Sequence, residues 1–195
     1  MSLSIHIAIC FSLVICSCSA DQKKDLTPFQ KHQKEQQEFM LSEDSPIEKS
    51  ERKNFISLNY FNQDSTYVFN ANYESIFNGS IVEFATNTDR KPVYIHTANV
   101  TFTLEKSLLT LKAYRAQNST DSSLFVPFND LTNGVETYKS GRYLNLYIPD
   151  NGAIVVDFNL AYNPYCAYDK KYSCPIPPVE NRLNVKIKAG EKKYH

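Results

Sequence analysis

The chain has 195 residues, with 21 Lys+Arg against 21 Asp+Glu, so its formal net charge is zero. That length holds one ordinary domain with a real core and does not require two. The neutral balance leaves no cationic excess to neutralise phosphates, which argues against nucleic acid as a partner.

Ile5 to Ile15 is an apolar run broken only by His6 and Ser12, too short to span a bilayer and placed where a signal peptide belongs. It ends in Ile15-Cys16-Ser17-Cys18, a lipobox-like step that makes Cys18 the expected lipidated N-terminus. A plain cleaved signal without lipid is the alternative. Ser19, in place of aspartate, favours the outer membrane over the inner as the site of anchoring. Residues 1–17 therefore read as a signal peptide of lipoprotein type, 18–26 as a tether, 27–54 as an N-terminal helical segment and 55–195 as one β-rich domain.

Thr27-Pro28 supplies a hydroxyl cap and a first-turn proline whose missing N–H costs nothing. A helix is predicted from Pro28 to about Leu41, lying on the domain surface through Phe29, Phe39 and Met40. Ser45-Pro46 ends it, and Lys49 to Asn54 can add one more turn. From Phe55 the period changes from helical to alternating. Strands are predicted near 67–73, 81–86, 93–97, 99–104, 108–114, 143–148, 153–158 and 183–188. Gly79, Gly134 and Gly152 each follow an asparagine and mark turns. Short strands without intervening helices predict a mainly β fold, an antiparallel sandwich or partly closed barrel with one N-terminal helix.

Pro149-Asp150-Asn151-Gly152 is expected to join two strands as a hairpin. With a four-residue loop, Arg142 faces Asn159, and Asp157 lies one diagonal step away on the face that carries Leu144, Leu146, Ile148 and Val155. An arginine on an apolar face needs a partner, and Asp157 is the nearest in this register. Asp130 and Glu136 add carboxylates upstream; Tyr138, Tyr162, Asn159 and Asn163 add hydrogen-bonding groups. Such a cluster can orient a polar ligand, or do acid/base chemistry if one carboxylate is desolvated. It can equally be a satisfied network that pins loops to the sheet.

Once the signal is removed and Cys18 acylated, Cys166 and Cys174 remain. In an oxidising envelope an even pair reads first as a disulfide, with free buried thiols as the alternative. No histidine lies nearby to support zinc, and neither a metal nor a cofactor is expected. Of the four histidines only His96 falls in the β domain, and GxSxG, HExxH, Walker and GxGxxG patterns are absent. A hydrolase using paired carboxylates among Asp130, Glu136 and Asp157 is compatible with the residues present. Tyr162, Tyr165, Tyr168 and Tyr172 could stack a saccharide or peptide.

The run Asp130-Leu131-Thr132 through Glu136-Thr137-Tyr138, then Gly141-Arg142-Tyr143, Asp157-Phe158-Asn159, Tyr162-Asn163-Pro164-Tyr165-Cys166, Cys174-Pro175-Ile176-Pro177-Pro178 and Asn181-Arg182-Leu183 resembles the signature of the bacterial family called domain of unknown function 1684. Leu58-Asn59-Tyr60-Phe61 resembles its aromatic entry motif, so the resemblance covers roughly 55–192. It implies an often exported domain and carries no mechanism. The resulting expectation is a lipid-anchored envelope protein that binds a polar ligand at Arg142, Asn159, Tyr162, Asn163 and Tyr138, with the carboxylate hydrolase as the second reading.

Overall fold

The computed structural model describes residues 25–119, 123–148 and 153–194. The expected signal peptide, Cys18, most of the tether and the loop at 149–152 lie outside the described residues.

Helix α1 spans Pro28–Leu41 as the sequence predicts. The Thr27 hydroxyl accepts from the Gln30 N–H at 3.2 Å and Gln30 Oε1 accepts from the Thr27 N–H at 3.0 Å, a reciprocal capping box. Its buried side chains are Phe29 and Met40. Phe29 meets the edge of Tyr60 and Met40 packs with Ile47 and Leu58, so the helix lies on the outside of the β domain. A short helix α2, Lys49–Arg52, follows.

Seven strands follow: β1 Val68–Ser75, β2 Ile81–Glu83, β3 Val93–Leu104, β4 Ser107–Ala116, β5 Ser123–Phe128, β6 Arg142–Tyr147 and β7 Ala153–Asp157. They form one antiparallel sheet in the order β6-β5-β4-β3-β1-β7, a half-barrel and not two packed sheets. The strands β1 and β2 share one edge of β3, with Ser75 opposite Ala98 and Ile81 opposite Ile95. The expected strands 93–97 and 99–104 are therefore one strand, kinked by a bulge between His96 and Ala98. At the connecting turn Asn78 takes the positive φ of 57°. Gly79 serves close approach instead, since a Cβ there would sit 1.8 Å from the His96 carbonyl oxygen.

Three expectations need correction. First, β6 and β7 do not pair with each other: β6 pairs with β5 and β7 with β1, at opposite ends of the strand order. Second, β5, Ser123–Phe128, was not predicted; it carries Pro127, a residue strands disfavour. The strand tolerates it because β5 is bonded to β4 only around Tyr114–Phe125. Asn181 takes over there: its Oδ1 accepts from the Lys112 N–H, and its Nδ2 donates to the Lys112 and Pro127 carbonyls, all at 2.8 Å. Third, the predicted strand 183–188 alternates in burial but stands outside the sheet. It runs beside 129–131, with Leu183 N–H on the Asn129 carbonyl and Leu131 N–H on that of Val185.

That last segment matters for the core. Leu183, Ile187 and Ala189 join Val100, Leu111, Leu124, Val126, Phe128, Leu144, Val156 and Phe158 in a single apolar cluster, closing the open face of the half-barrel.

Asn181→Leu keeps the volume and strips three backbone groups of their partners. At about 1–3 kcal/mol per buried unsatisfied group, the expected loss of unfolding free energy in urea is about 3 kcal/mol or more. A loss below about 1 kcal/mol would show that the amide bonds to β4 and β5 are dispensable.

Candidate functional site

Arg142 begins β6 with the inward parity of Leu144 and Leu146, and its side chain is wholly buried. Its partner is Asp130, not Asp157. Arg142 Nη2 lies 3.0 Å from Asp130 Oδ2 and both side chains have no exposed surface. The guanidinium also donates to the backbone carbonyls of Ile187, Ala189 and Glu191, and sits 5.3 Å from the Phe128 ring centroid. Asp130 Oδ1 accepts from the Thr132 N–H, the Thr132 hydroxyl and the Ile187 N–H. The neighbouring Gly141 has φ +97°, and a Cβ on it would lie 2.6 Å from the Phe128 carbonyl oxygen, so the turn into β6 requires glycine. Every bond of this knot is directed inward, so Arg142 and Asp130 hold the fold rather than a ligand.

The other expected residues divide in the same physical way. Asp157 Oδ1 accepts from the Asn159 N–H and from Asn159 Nδ2, both at 2.8 Å. Asn159 is fully buried and pairs through both ends of its amide with the Asp64 backbone. Glu136 lies 3.5 Å from Lys188. The three candidate carboxylates thus serve a buried ion pair, a cap and a surface pair.

Glu191 is a buried acid that the site prediction did not include. It continues the inward alternation Leu183, Val185, Ile187, Ala189, and that parity is the signal that could have found it. Glu191 Oε1 accepts from the Tyr168 hydroxyl at 2.5 Å and Oε2 from the Asn163 N–H at 2.8 Å. Burial pushes its carboxyl up to about 7, opposed by these hydrogen bonds and by Arg142.

Two clefts among the described residues bear on function. One, of about 500 Å³, lies between α1 and β6; its walls include His32, Gln36, Asn145, Tyr147, Tyr162 and Asn163. Here Asn163 Oδ1 and His32 Nε2 are both buried and without hydrogen-bond partners, and burial lowers the His32 pKa, favouring the neutral ring. The Tyr162 hydroxyl donates to Asn145 Oδ1 at 3.1 Å. The second cleft, of about 820 Å³, has Tyr138, Lys139, Cys166, Lys170 and Lys193 among its walls. Cys166 and Cys174 are both buried and are free thiols here, not the expected disulfide. No group of three or more side chains able to hold a metal ion occurs among the described residues.

A family model described as a protein of unknown function, DUF1684, matches residues 53–192. The chain belongs to this family. It is also similar to an uncharacterized protein of the archaeon Haloarcula marismortui solved by solution NMR: 37% sequence identity, covering 84% of this chain and 91% of that one, with a TM-score of 0.69. No curated protein matches. The DUF1684 match includes the Asp130–Arg142 knot, Glu191 and both cysteines, whereas α1 precedes it. The His32 cleft therefore combines a wall from the DUF1684 domain with one supplied by the preceding helix.

Removing one member of a buried ion pair leaves the other charge uncompensated, at a cost of about 3–5 kcal/mol. Arg142→Met is expected to lose that much in urea denaturation. A loss near zero would mean that Asp130 and the three carbonyls find other donors.

Glu191 sets a pH dependence whose sign follows from its raised folded pKa. Below about 4.5 both folded and unfolded chains hold the proton and nothing is lost; as pH rises to about 7 the unfolded chain ionises first, and stability falls. The total is about 3 kcal/mol. Glu191→Gln mimics the protonated acid, and its unfolding free energy relative to wild type is expected to rise across that window. Parallel profiles would contradict the assignment.

Proposed function

We propose that this DUF1684 protein is a non-catalytic binding protein that takes a neutral, hydroxyl-rich ligand of the saccharide kind in the cleft between α1 and β6. One observation carries the reading: Asn163 Oδ1 and His32 Nε2 are buried, unpaired and on the walls of the same cleft. An unsatisfied buried polar group costs about 1–3 kcal/mol, and a ligand hydroxyl donating to Asn163 with a second polar group on His32 offsets that cost. The chemistry around them fits an uncharged molecule. His32 is disfavoured from ionising, and the rim charges Lys31 and Glu35 neutralise one another at 3.7 Å. Asn145 Oδ1 is occupied by Tyr162, leaving its amide nitrogen to donate. Tyr147 is 70% exposed and offers an aromatic edge to a sugar ring.

In this reading Tyr162 and Asn163 keep the binding role assigned from the sequence, while Arg142 and Asn159 become the scaffold beneath it. The protein acts in the cell envelope, held to the outer membrane by a lipid on Cys18. Support for that address is the apolar run ending in Ile15-Cys16-Ser17-Cys18. No described helix is long and apolar enough to cross a membrane.

Saturation-transfer NMR against a panel of envelope saccharides and short peptides tests the cleft. Saccharide binding is expected, weakened at least about tenfold by Asn145→Ala, since lost hydrogen bonds and ring contacts of about 1.4 kcal/mol suffice. Binding of peptides alone, or of nothing, overturns the ligand class. The address is read separately: Cys18→Ala is expected to abolish incorporation of radiolabelled fatty acid and move the protein from the membrane to the soluble fraction.

A further inference from the structure

The second cleft carries chemistry that the saccharide reading leaves unused. Cys166 lies in a 3-10 turn, Tyr165–Ala167, and its backbone N–H donates to Cys174 Sγ at 3.1 Å. The Tyr138 hydroxyl reaches Cys166 Sγ at 3.7 Å and the Cys166 carbonyl at 3.3 Å. Cys166 is on the wall of the cleft, whereas Cys174 is not among its lining residues.

The loop between the cysteines does not depend on a sulfur–sulfur bond for its shape. The Cys174 N–H donates to Asn87 Oδ1 at 2.8 Å, and Asn87 Nδ2 donates to the Tyr172 carbonyl at 2.9 Å. The Ile176 N–H donates to the Ala85 carbonyl, and the Tyr143 hydroxyl to that of Pro175. At the other end the Tyr168 and Asp169 N–H groups close onto the Tyr165 carbonyl. With both ends pinned, making or breaking the bond changes little else, which suits a reversible couple better than a staple.

The electrostatics select the partner. Lys139, Lys170 and Lys193 border the cleft and are exposed, and none of them has an ion pair among the described residues. The neighbouring acids are engaged elsewhere, Glu136 by Lys188 and Asp169 by Lys171.

We propose that Cys166 and Cys174 form a thiol–disulfide exchange pair that acts on small anionic disulfides entering the lysine-bordered cleft. Cys166 is the nucleophile and Cys174 the resolving thiol. The Cys166 thiolate attacks one sulfur of the incoming disulfide RSSR, forming a Cys166–S–S–R mixed disulfide and expelling RS⁻, which takes up a proton. Cys174 then gives its proton to solvent and attacks Cys166 Sγ, forming the Cys166–Cys174 disulfide and expelling the second RS⁻. The sum is a protein dithiol plus RSSR going to a protein disulfide plus two RSH, with two electrons passing to the small molecule. The hydrogen bond shared with Cys174, together with that from Tyr138, draws the Cys166 thiol down to about 7 against opposing burial, while Cys174 is pushed up. That asymmetry is what a nucleophile and its resolving partner require.

The purified full chain, reduced and then equilibrated with mixtures of reduced and oxidised glutathione, tests the pair by alkylation and mass analysis. A reversible two-electron couple within the glutathione range is expected. Cys174→Ser should trap glutathione on Cys166, and Cys166→Ser should leave Cys174 largely unmodified. The Lys170→Glu/Lys193→Glu double variant should slow oxidation by anionic oxidised glutathione at least about tenfold and not slow oxidation by cationic cystamine. A disulfide that resists millimolar reduced glutathione and whose reduction collapses the melting temperature would overturn the proposal in favour of a structural staple. Equal slowing of both oxidants would overturn the anionic selectivity.

Discussion

A guanidinium sealed from water is the constraint around which this half-barrel closes. Arg142 must be compensated from within the protein, because an unpaired charge in the interior costs several kcal/mol. Asp130 supplies the counter-charge and the carbonyls of Ile187, Ala189 and Glu191 supply acceptors for the two terminal nitrogens, while the Arg142 Nε stays buried without a partner among the described residues. Those three carbonyls belong to alternate residues, with Gly190 at φ +77° turning the chain between the last two. The planar fork of Arg142 thus does for the C-terminal segment what a neighbouring strand does in a sheet. A lysine, with one ammonium, could not reach the same set.

The knot explains how seven strands in one sheet avoid an open apolar face. Leu183, Ile187 and Ala189 fill the concave side, and their position is fixed by polar bonds from the loop before β6. Asn181 acts likewise where β4 and β5 part. Asp130, Asn159 and Asn181 are consumed in this stitching and have little left for a ligand. Surface chemistry is left to the groups around the two clefts.

Much of this was legible in the chain. Thr27-Pro28 located α1, alternation located six of the seven strands in whole or part, and the parity of Arg142 with Leu144 and Leu146 correctly placed a charge on an apolar face. Its partner was misread because the hairpin rule assumes that sequential strands pair, and β6 and β7 instead lie at opposite ends of the strand order. Asp130 is twelve residues away in sequence and adjacent in space only through the turn at Gly141. β5 was missed, and its Pro127 is accommodated with the help of the distant Asn181. His32 was given no role, since nothing local reveals that α1 folds back over Asn163. Tyr162, Asn163 and Tyr138 did reach cleft walls, but two different ones.

The long reach of the C-terminal segment bears on how the chain acquires its shape. Arg142 and Asp130 are made well before residues 187–191, and until those arrive the guanidinium lacks its three carbonyl acceptors and the half-barrel its fourth wall. Tyr60 also bridges to Glu191, and the Lys192 N–H donates to the Asn59 carbonyl, across most of the domain. A growing chain can assemble β1 to β4 from near neighbours, yet its core stays wet until residues 183–189 are added. Native packing therefore waits on residues 183–191, and deleting them would open the interior of the half-barrel.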